Sequence, residues 1–199
     1  MIPLDLSEIS SGGEVDTLLT KTELRAAMIA ARNEIAAEAR LLHDAKIADA
    51  VLDQLADYPI RTLAVFWPIR GEPDLGPAYA ELAAHGVRLA LPVVITAGAA
   101  LGFAAWTPGD RMNKDAMGVP IPVMRPGLSP DALLIPCVGF NAGRVRLGYG
   151  GGFYDRTLSS KPRPLAIGVA YSCTQAKFKA EPHDIPLDLI ITESSVYKG

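Results

Sequence analysis

Between Arg144 and Arg156 the chain reads Arg-Val-Arg-Leu-Gly-Tyr-Gly-Gly-Gly-Phe-Tyr-Asp-Arg. Four glycines thus sit among three arginines, two tyrosines and one aspartate, directly after the apolar run 132–140. Backbone without side chains at Gly148, Gly150, Gly151 and Gly152 can turn its N–H groups toward one anion, and the arginines add charge of the complementary sign. Tight turns are the commonest use of a glycine pair, but a hairpin needs only one or two, and each glycine adds ordering entropy. The segment is therefore read as an anion cradle suited to a phosphorylated ligand. It is neither Gly-x-x-x-x-Gly-Lys-Ser/Thr nor a dinucleotide fingerprint, because the third glycine of the latter is missing. Asp155 falls where a helix can start, and two readings stand for it: a cap or first-turn residue, and a metal ligand.

The elements that must position this cradle follow from periodicity. Thr20-Lys21-Thr22-Glu23 has the form of a capping box, and the alanine-rich stretch to Ala39 has strong helix propensity with Leu24, Met28 and Ile35 near one face. A second helix is expected through Ile47, Val51 and Leu55, ending before Pro59. Residues 62–67 read as a buried strand stopped by Pro68, 77–85 as a helix with Gly86 at its C-cap, and 87–92 as the next strand. Residues 132–135, 164–170 and 189–192 read as further strands, and 154–159 as a helix. The segment 96–128, rich in Gly and Pro, reads as a hairpin and loop excursion. Apolar strands alternating with helices predict an α/β fold with three layers, a mostly parallel Rossmann-like sheet covered by helices on both faces. Ligands in such sheets bind beyond the carboxyl ends of strands. That places 67–74, 138–155 and 170–184 around a common site.

Composition limits the alternatives. With 199 residues, 49% hydrophobic and 21% charged, one α/β domain over 20–199 is expected, preceded by a loose arm at 1–19. A net charge of −3 gives no basic face, so nucleic acid is not an expected partner. Apolar stretches are interrupted well short of a membrane span, and a cytoplasmic protein, monomeric or weakly homo-oligomeric, is expected. Cys137 and Cys173 form no Cys-x-x-Cys pair and read as buried free thiols. His43, His85 and His183 have no zinc spacing.

Several blocks together resemble the 5-formyltetrahydrofolate cyclo-ligase family, also called methenyltetrahydrofolate synthetases. The strongest runs from Leu134-Ile135-Pro136 through Arg146-Leu-Gly-Tyr-Gly-Gly-Gly-Phe-Tyr-Asp155-Arg156. Ala166-Ile-Gly168 and His183-Asp184-Ile-Pro-Leu-Asp188 follow it, and Lys21-Thr-Glu-Leu-Arg25 and Trp67-Pro-Ile-Arg-Gly-Glu72 precede it. The resemblance covers about Lys21 to Thr192. It implies an architecture like that of sugar-phosphate isomerases and coenzyme A transferases. It also implies an enzyme that uses ATP and magnesium to cyclise 5-formyltetrahydrofolate into 5,10-methenyltetrahydrofolate through a phosphorylated formyl intermediate. A nucleotide or pterin sensor without turnover, and an ATP-dependent relative with another substrate, are the alternatives.

The resemblance also assigns roles. Lys21 and Arg25, otherwise solvated helix charges, would contact ATP phosphates from one helical face. Arg146, Leu147 and the backbone of Gly148, Tyr149, Gly150, Gly151 and Gly152 would hold the triphosphate, with Phe153 and Tyr154 beside it. Arg146 and Tyr154 would act in catalysis, and Asp155 and Asp184 would bind Mg2+. Trp67, Glu72, Tyr149, Phe153 and the glycines 150–152 would border the folate. From its own context Glu72 is a turn residue before Pro73, Trp67 reads as core, and Trp106 reads equally as core or pocket wall. One position departs from the family: Gly118-Val-Pro-Ile-Pro122 carries Ile121 where many members have glutamate. Any hydrogen bond made there is absent or supplied elsewhere.

Overall fold

The computed structural model describes residues 19–115, 118–124 and 126–199. Of the expected arm, only Leu19 falls within this range.

Two helices open the described chain, α1 (Lys21–Asn33) and α2 (Ala37–Ala56). The capping box forms at Thr20, whose side chain accepts from the Glu23 N–H while the Glu23 carboxylate accepts from the Thr20 N–H. The single helix expected up to Ala39 is instead broken after Asn33, although no Pro or Gly lies there. The Arg40 guanidinium binds the Arg32 carbonyl and the Gly71 carbonyl, the latter at 2.9 Å, so a side chain takes the place of the next helical bond.

The strands are β1 (Thr62–Ala64), β2 (Arg88–Val93), β3 (Gly102–Trp106), β4 (Met112–Lys114), β5 (Pro120–Pro122), β6 (Ala132–Pro136), β7 (Gly139–Phe140), β8 (Arg146–Leu147), β9 (Leu165–Val169), β10 (Leu189–Ile191) and β11 (Val196–Lys198). Helix α3 spans Gly76–Ala84 and α4 spans Phe153–Leu158. Seven strands form one sheet in the order β11-β10-β9-β6-β1-β2-β3. The five inner strands pair in parallel and both edges are antiparallel. Within this sheet the edges were the strands that periodicity missed: β3 lies inside the segment read as a hairpin and loop excursion, and β11 follows the strand read as last. The short pair β7 and β8 was not expected either.

Side-chain alternation fixes the register. Leu63, Val65, Leu134, Ile167, Val169 and Ile191 pack toward Ile47, Val51 and Leu55 of α2 and Tyr79 of α3. On the other face Ala64, Leu133, Ile135, Ala166 and Ile190 pack with Leu158 of α4, Phe140 and Leu187. A third cluster joins Leu24 and Met28 of α1 to Val138, Val145, Leu147 and Phe178. Gly139 permits this docking, since a Cβ there would lie 2.0 Å from the Met28 sulfur.

The strand order reverses between β1 and β6: from β1 the chain moves outward to β2, and from β6 outward the other way to β9 and β10. A ligand crevice is expected outside the carboxyl ends of these two strands. The loops that leave them carry Trp67 to Glu72 and the glycine cradle.

Candidate functional site

A cleft of 490 Å³ lies at this switch point, lined by Lys21, Arg25, Arg146, the whole run Leu147–Asp155 and Asp184. The sequence-predicted nucleotide and metal residues are thus brought to one place. Trp67 and Glu72 are not on its wall. They line a smaller hollow of 140 Å³ with Phe66, Leu91 and Pro120, and Tyr149 and Tyr154 line both spaces.

Helix α1 supplies the cationic wall. Lys21 Nζ lies 3.0 Å from Asp184 Oδ2 and 3.2 Å from Glu181 Oε1. Burial works against the charge on both Lys21 and Asp184 but is outweighed. The two carboxylates hold the ammonium above its usual range, and the Glu181 N–H together with Lys21 holds the Asp184 carboxyl below its own. One turn on, Arg25 Nε donates to the Gly148 carbonyl at 2.7 Å. Arg25 therefore fixes the cradle as well as charging it.

Arg146, 9% exposed, opens β8 immediately before the cradle, which leads into α4. Its Nη1 and Nη2 donate to Asp155 Oδ1 and Oδ2 at 3.1 and 2.9 Å, and its Cζ lies 5.5 Å from the centre of the Tyr154 ring. The helix-cap reading of Asp155 does not hold: Gly152, in the left-handed region at φ 63°, is the N-cap of α4. Asp155 belongs to the first turn, but its side chain serves Arg146 and accepts from the Ile185 N–H at 3.3 Å. Burial pushes the Tyr154 hydroxyl well above the usual phenol range, with the Glu72 charge adding to it, so it remains a neutral donor at physiological pH.

Glu72 is not a solvated turn residue, being 4% exposed. Its Oε2 accepts from the Ile69 N–H at 2.9 Å and its Oε1 from the Tyr149 hydroxyl at 2.7 Å. Burial raises its pKa, opposed by these bonds and by Arg32 and Arg70. Tyr149 is pushed up to about 12, by burial first and then by Glu72. Trp67 stacks edge-on against Trp106 at 6.1 Å. Trp106 is core, 8% exposed and packed on Tyr79.

Three further readings are settled by the geometry. Ile121 is 3% exposed and clusters with Val93 and Ala104, lining neither space, so its departure from the family pattern is absorbed in packing. Cys137 is buried as expected, its thiol pushed up to about 12 by burial, whereas Cys173 is exposed at the short 3-10 turn after β9. Among the described residues, the one group of three side chains placed to share a metal is Glu181, His183 and Asp184, with ligand atoms within 4.8 Å of one another. Asp155 is not among them.

Sequence reasoning missed Arg32 and Glu181. Arg32 lies seven residues beyond Arg25, so Lys21, Arg25 and Arg32 fall within about 40° on the helix. That stripe was visible in the sequence. Glu181 carried no such signal, because it stands in a loop without periodicity.

Known proteins give the same picture. The model of the 5-formyltetrahydrofolate cyclo-ligase family matches residues 18–193. A 5-formyltetrahydrofolate cyclo-ligase from Mycoplasma pneumoniae is 31% identical over 178 residues, covering 88% of this chain and 99% of its own length. The Escherichia coli cyclo-ligase is 35% identical over 149 residues, covering 69% and 80%. Among solved structures, the 5,10-methenyltetrahydrofolate synthetase of Mycoplasma pneumoniae superposes with a TM-score of 0.74 at 29% identity, over 88% of this chain and 99% of that one. That of Aquifex aeolicus gives 0.73 at 28% identity, over 90% and 93%. From the matched length, the shared fold and the cradle itself, it follows that the chain belongs to the 5-formyltetrahydrofolate cyclo-ligase family.

Proposed function

We propose that the chain converts 5-formyltetrahydrofolate and ATP into 5,10-methenyltetrahydrofolate, ADP and phosphate. The observation that carries this reading is the meeting of two unlike spaces at Tyr149 and Tyr154. One space has three cations and a glycine cradle, which suit a triphosphate. The other has an indole face and a buried carboxylate, which suit a flat heterocycle with adjacent N–H donors.

The reacting centres meet at the boundary. The formyl oxygen forms a bond to the γ-phosphorus while the bond to the β-phosphate bridging oxygen breaks and ADP departs with its electrons. The N10 lone pair then adds to the formyl carbon, the carbon–oxygen bond breaks, phosphate leaves with that pair, and the N10 proton passes to solvent. No covalent bond to the protein is required, so the protein's part is positioning and charge stabilisation. Arg146 supplies fixed positive charge to the transferring group. Its pair with Asp155 uses two of the five N–H donors of a guanidinium. The neutral Tyr154 hydroxyl stands ready to donate to the oxygen that accumulates charge.

The donor set also fits Mg2+. Asp184 and Glu181 offer hard oxygen ligands, and the Lys21 ammonium already occupies a cation position between them. A bound ion would neutralise phosphate oxygens there. Asp155 already accepts from the Arg146 guanidinium through both oxygens.

The test is direct: mixing protein, ATP, magnesium and 5-formyltetrahydrofolate is expected to produce the absorbance of methenyltetrahydrofolate. A folded sample that binds ATP and gives no rise would overturn the substrate assignment.

A further inference from the structure

Arg32 is 1% exposed, in the last turn of α1, and neither space is lined by it. Burying a guanidinium is costly unless its donors are satisfied and its charge is met. Its partners show what it is used for. Nε donates to the Arg70 carbonyl at 2.9 Å, and Nη2 donates to the Tyr149 hydroxyl at 2.7 Å. That hydroxyl donates in turn to Glu72 Oε1 at 2.7 Å. The backbone carbonyl of Arg32 accepts from Arg40.

These bonds tie three separate segments together. Arg70, at φ 49°, lies in the strained left-handed turn between β1 and Glu72. Tyr149 stands between Gly148 and Gly150 in the cradle, and the Arg70 guanidinium faces its ring at 5.1 Å. Tyr149 therefore borders both spaces while its hydroxyl is held from one side by Arg32 and offered to Glu72 on the other. The donor direction runs one way, from guanidinium to phenol to carboxylate. A shift of the cradle must move Tyr149, and a shift of Tyr149 removes a hydrogen bond from Glu72.

We propose that Arg32 is a positioning residue of the cyclo-ligase reaction, holding Glu72 through Tyr149 so that the folate-side carboxylate is set only when the nucleotide cradle is in place. The inference rests on the assignment of Glu72 to the folate. It makes the two substrates energetically coupled, and the coupling is reciprocal.

The test compares the full-length protein with Tyr149→Phe, Arg32→Lys and the double variant. Folate binding is measured by calorimetry with and without a non-hydrolysable ATP analogue, alongside steady-state turnover. In the parent protein the analogue is expected to tighten 5-formyltetrahydrofolate binding about fivefold or more. In Tyr149→Phe this tightening is lost, and the folate KM rises about tenfold, equivalent to about 1.4 kcal/mol. The affinity for the ATP analogue measured without folate changes less than about twofold, far below the tenfold step. Arg32→Lys, which keeps the charge but not the fork, gives the same split, and the double variant is no worse than the worse single one. Unchanged folate binding and coupling in Tyr149→Phe would overturn the proposal, as would a parallel loss of folate affinity and of folate-free ATP-analogue affinity accompanied by a lower melting temperature. Absence of turnover in the parent protein would instead refute the cyclo-ligase reading, and the binding measurements still decide the relay.

Discussion

Arg146 and Asp155 meet fork to fork, Nη1 on Oδ1 at 3.1 Å and Nη2 on Oδ2 at 2.9 Å, across the first turn of α4. This pairing separates two carboxylates that the sequence treats alike. Asp155 is committed to an arginine through both oxygens, while Asp184 holds the Lys21 ammonium beside Glu181.

Magnesium titrations should tell them apart. Asp184→Asn is expected to raise the half-saturating magnesium concentration by about tenfold. Asp155→Asn should leave that concentration within about twofold, below what loss of a direct ligand causes. It should instead lower kcat by roughly 100-fold, as loss of a preorganised electrostatic group does. It should also cost about 1–3 kcal/mol of stability, because Arg146 would stay buried with one of its acceptors gone. Thermal melts at fixed magnesium check the last point.

The Lys21–Asp184 pair has a defined pH window. The Asp184 carboxyl is held below its ordinary 3.8, so its contribution is complete above 3.8 and disappears as pH falls through the lower folded value. The Lys21 ammonium is held above its ordinary 10.5, so its contribution is complete below 10.5 and is lost as pH rises through the higher folded value. The melting-temperature difference between parent and Lys21→Met should therefore be flat between these limits and shrink beyond each.

The glycines of the cradle are not equivalent. Gly150 has φ 95°, a conformation that alanine adopts only with strain, and its Cβ would lie 3.6 Å from Arg25 Cζ. Gly150→Ala is expected to cost about 1–2 kcal/mol and to weaken ATP binding. Gly148 has ordinary φ and open space where its Cβ would go. Gly148→Ala should thus leave the melting temperature unchanged while its methyl group, at the cleft wall, raises the KM for ATP. Paired melts and ATP titrations on the two variants would show the contrast.

Ile121 gives a prediction of the opposite kind. With 3% exposure and apolar neighbours, Ile121→Val should cost about 1 kcal/mol and leave the folate KM unaltered. Ile121→Glu should destabilise by about 2 kcal/mol or more, since a carboxylate would enter an apolar cluster. Denaturant unfolding measures both.

The inner strands and the cradle were legible because each is signalled locally: continuous apolar runs for parallel strands, and a glycine density that no ordinary turn requires. The antiparallel edges were not, since β3 is half-exposed and embedded in Gly- and Pro-rich chain, and β11 is only three residues long. The break between α1 and α2 was illegible for another reason. It is made by Arg40 reaching back eight residues to a backbone carbonyl, a contact outside any propensity. Glu72 shows the same limit in the site. Its neighbours in sequence suggest a solvated turn, and its burial comes from contacts such as Tyr149, 77 positions away, that no local pattern signals.

Helix α1 begins at Lys21 and carries Arg25 one turn later, which is the least favourable end for cations, because the helix dipole is positive there and like charges at this spacing repel. Among the described residues Asp184 and Glu181 pair with Lys21, Glu23 shares its first turn, and Arg25 leans on a neutral carbonyl. The Arg25 charge thus rests on a neutral group at the positive end of the helix, and a polyanion bound at the cradle would supply it with a counter-charge. Nucleotide would then act as a folding ligand for α1, slowing amide exchange there and raising the melting temperature with the logarithm of its concentration.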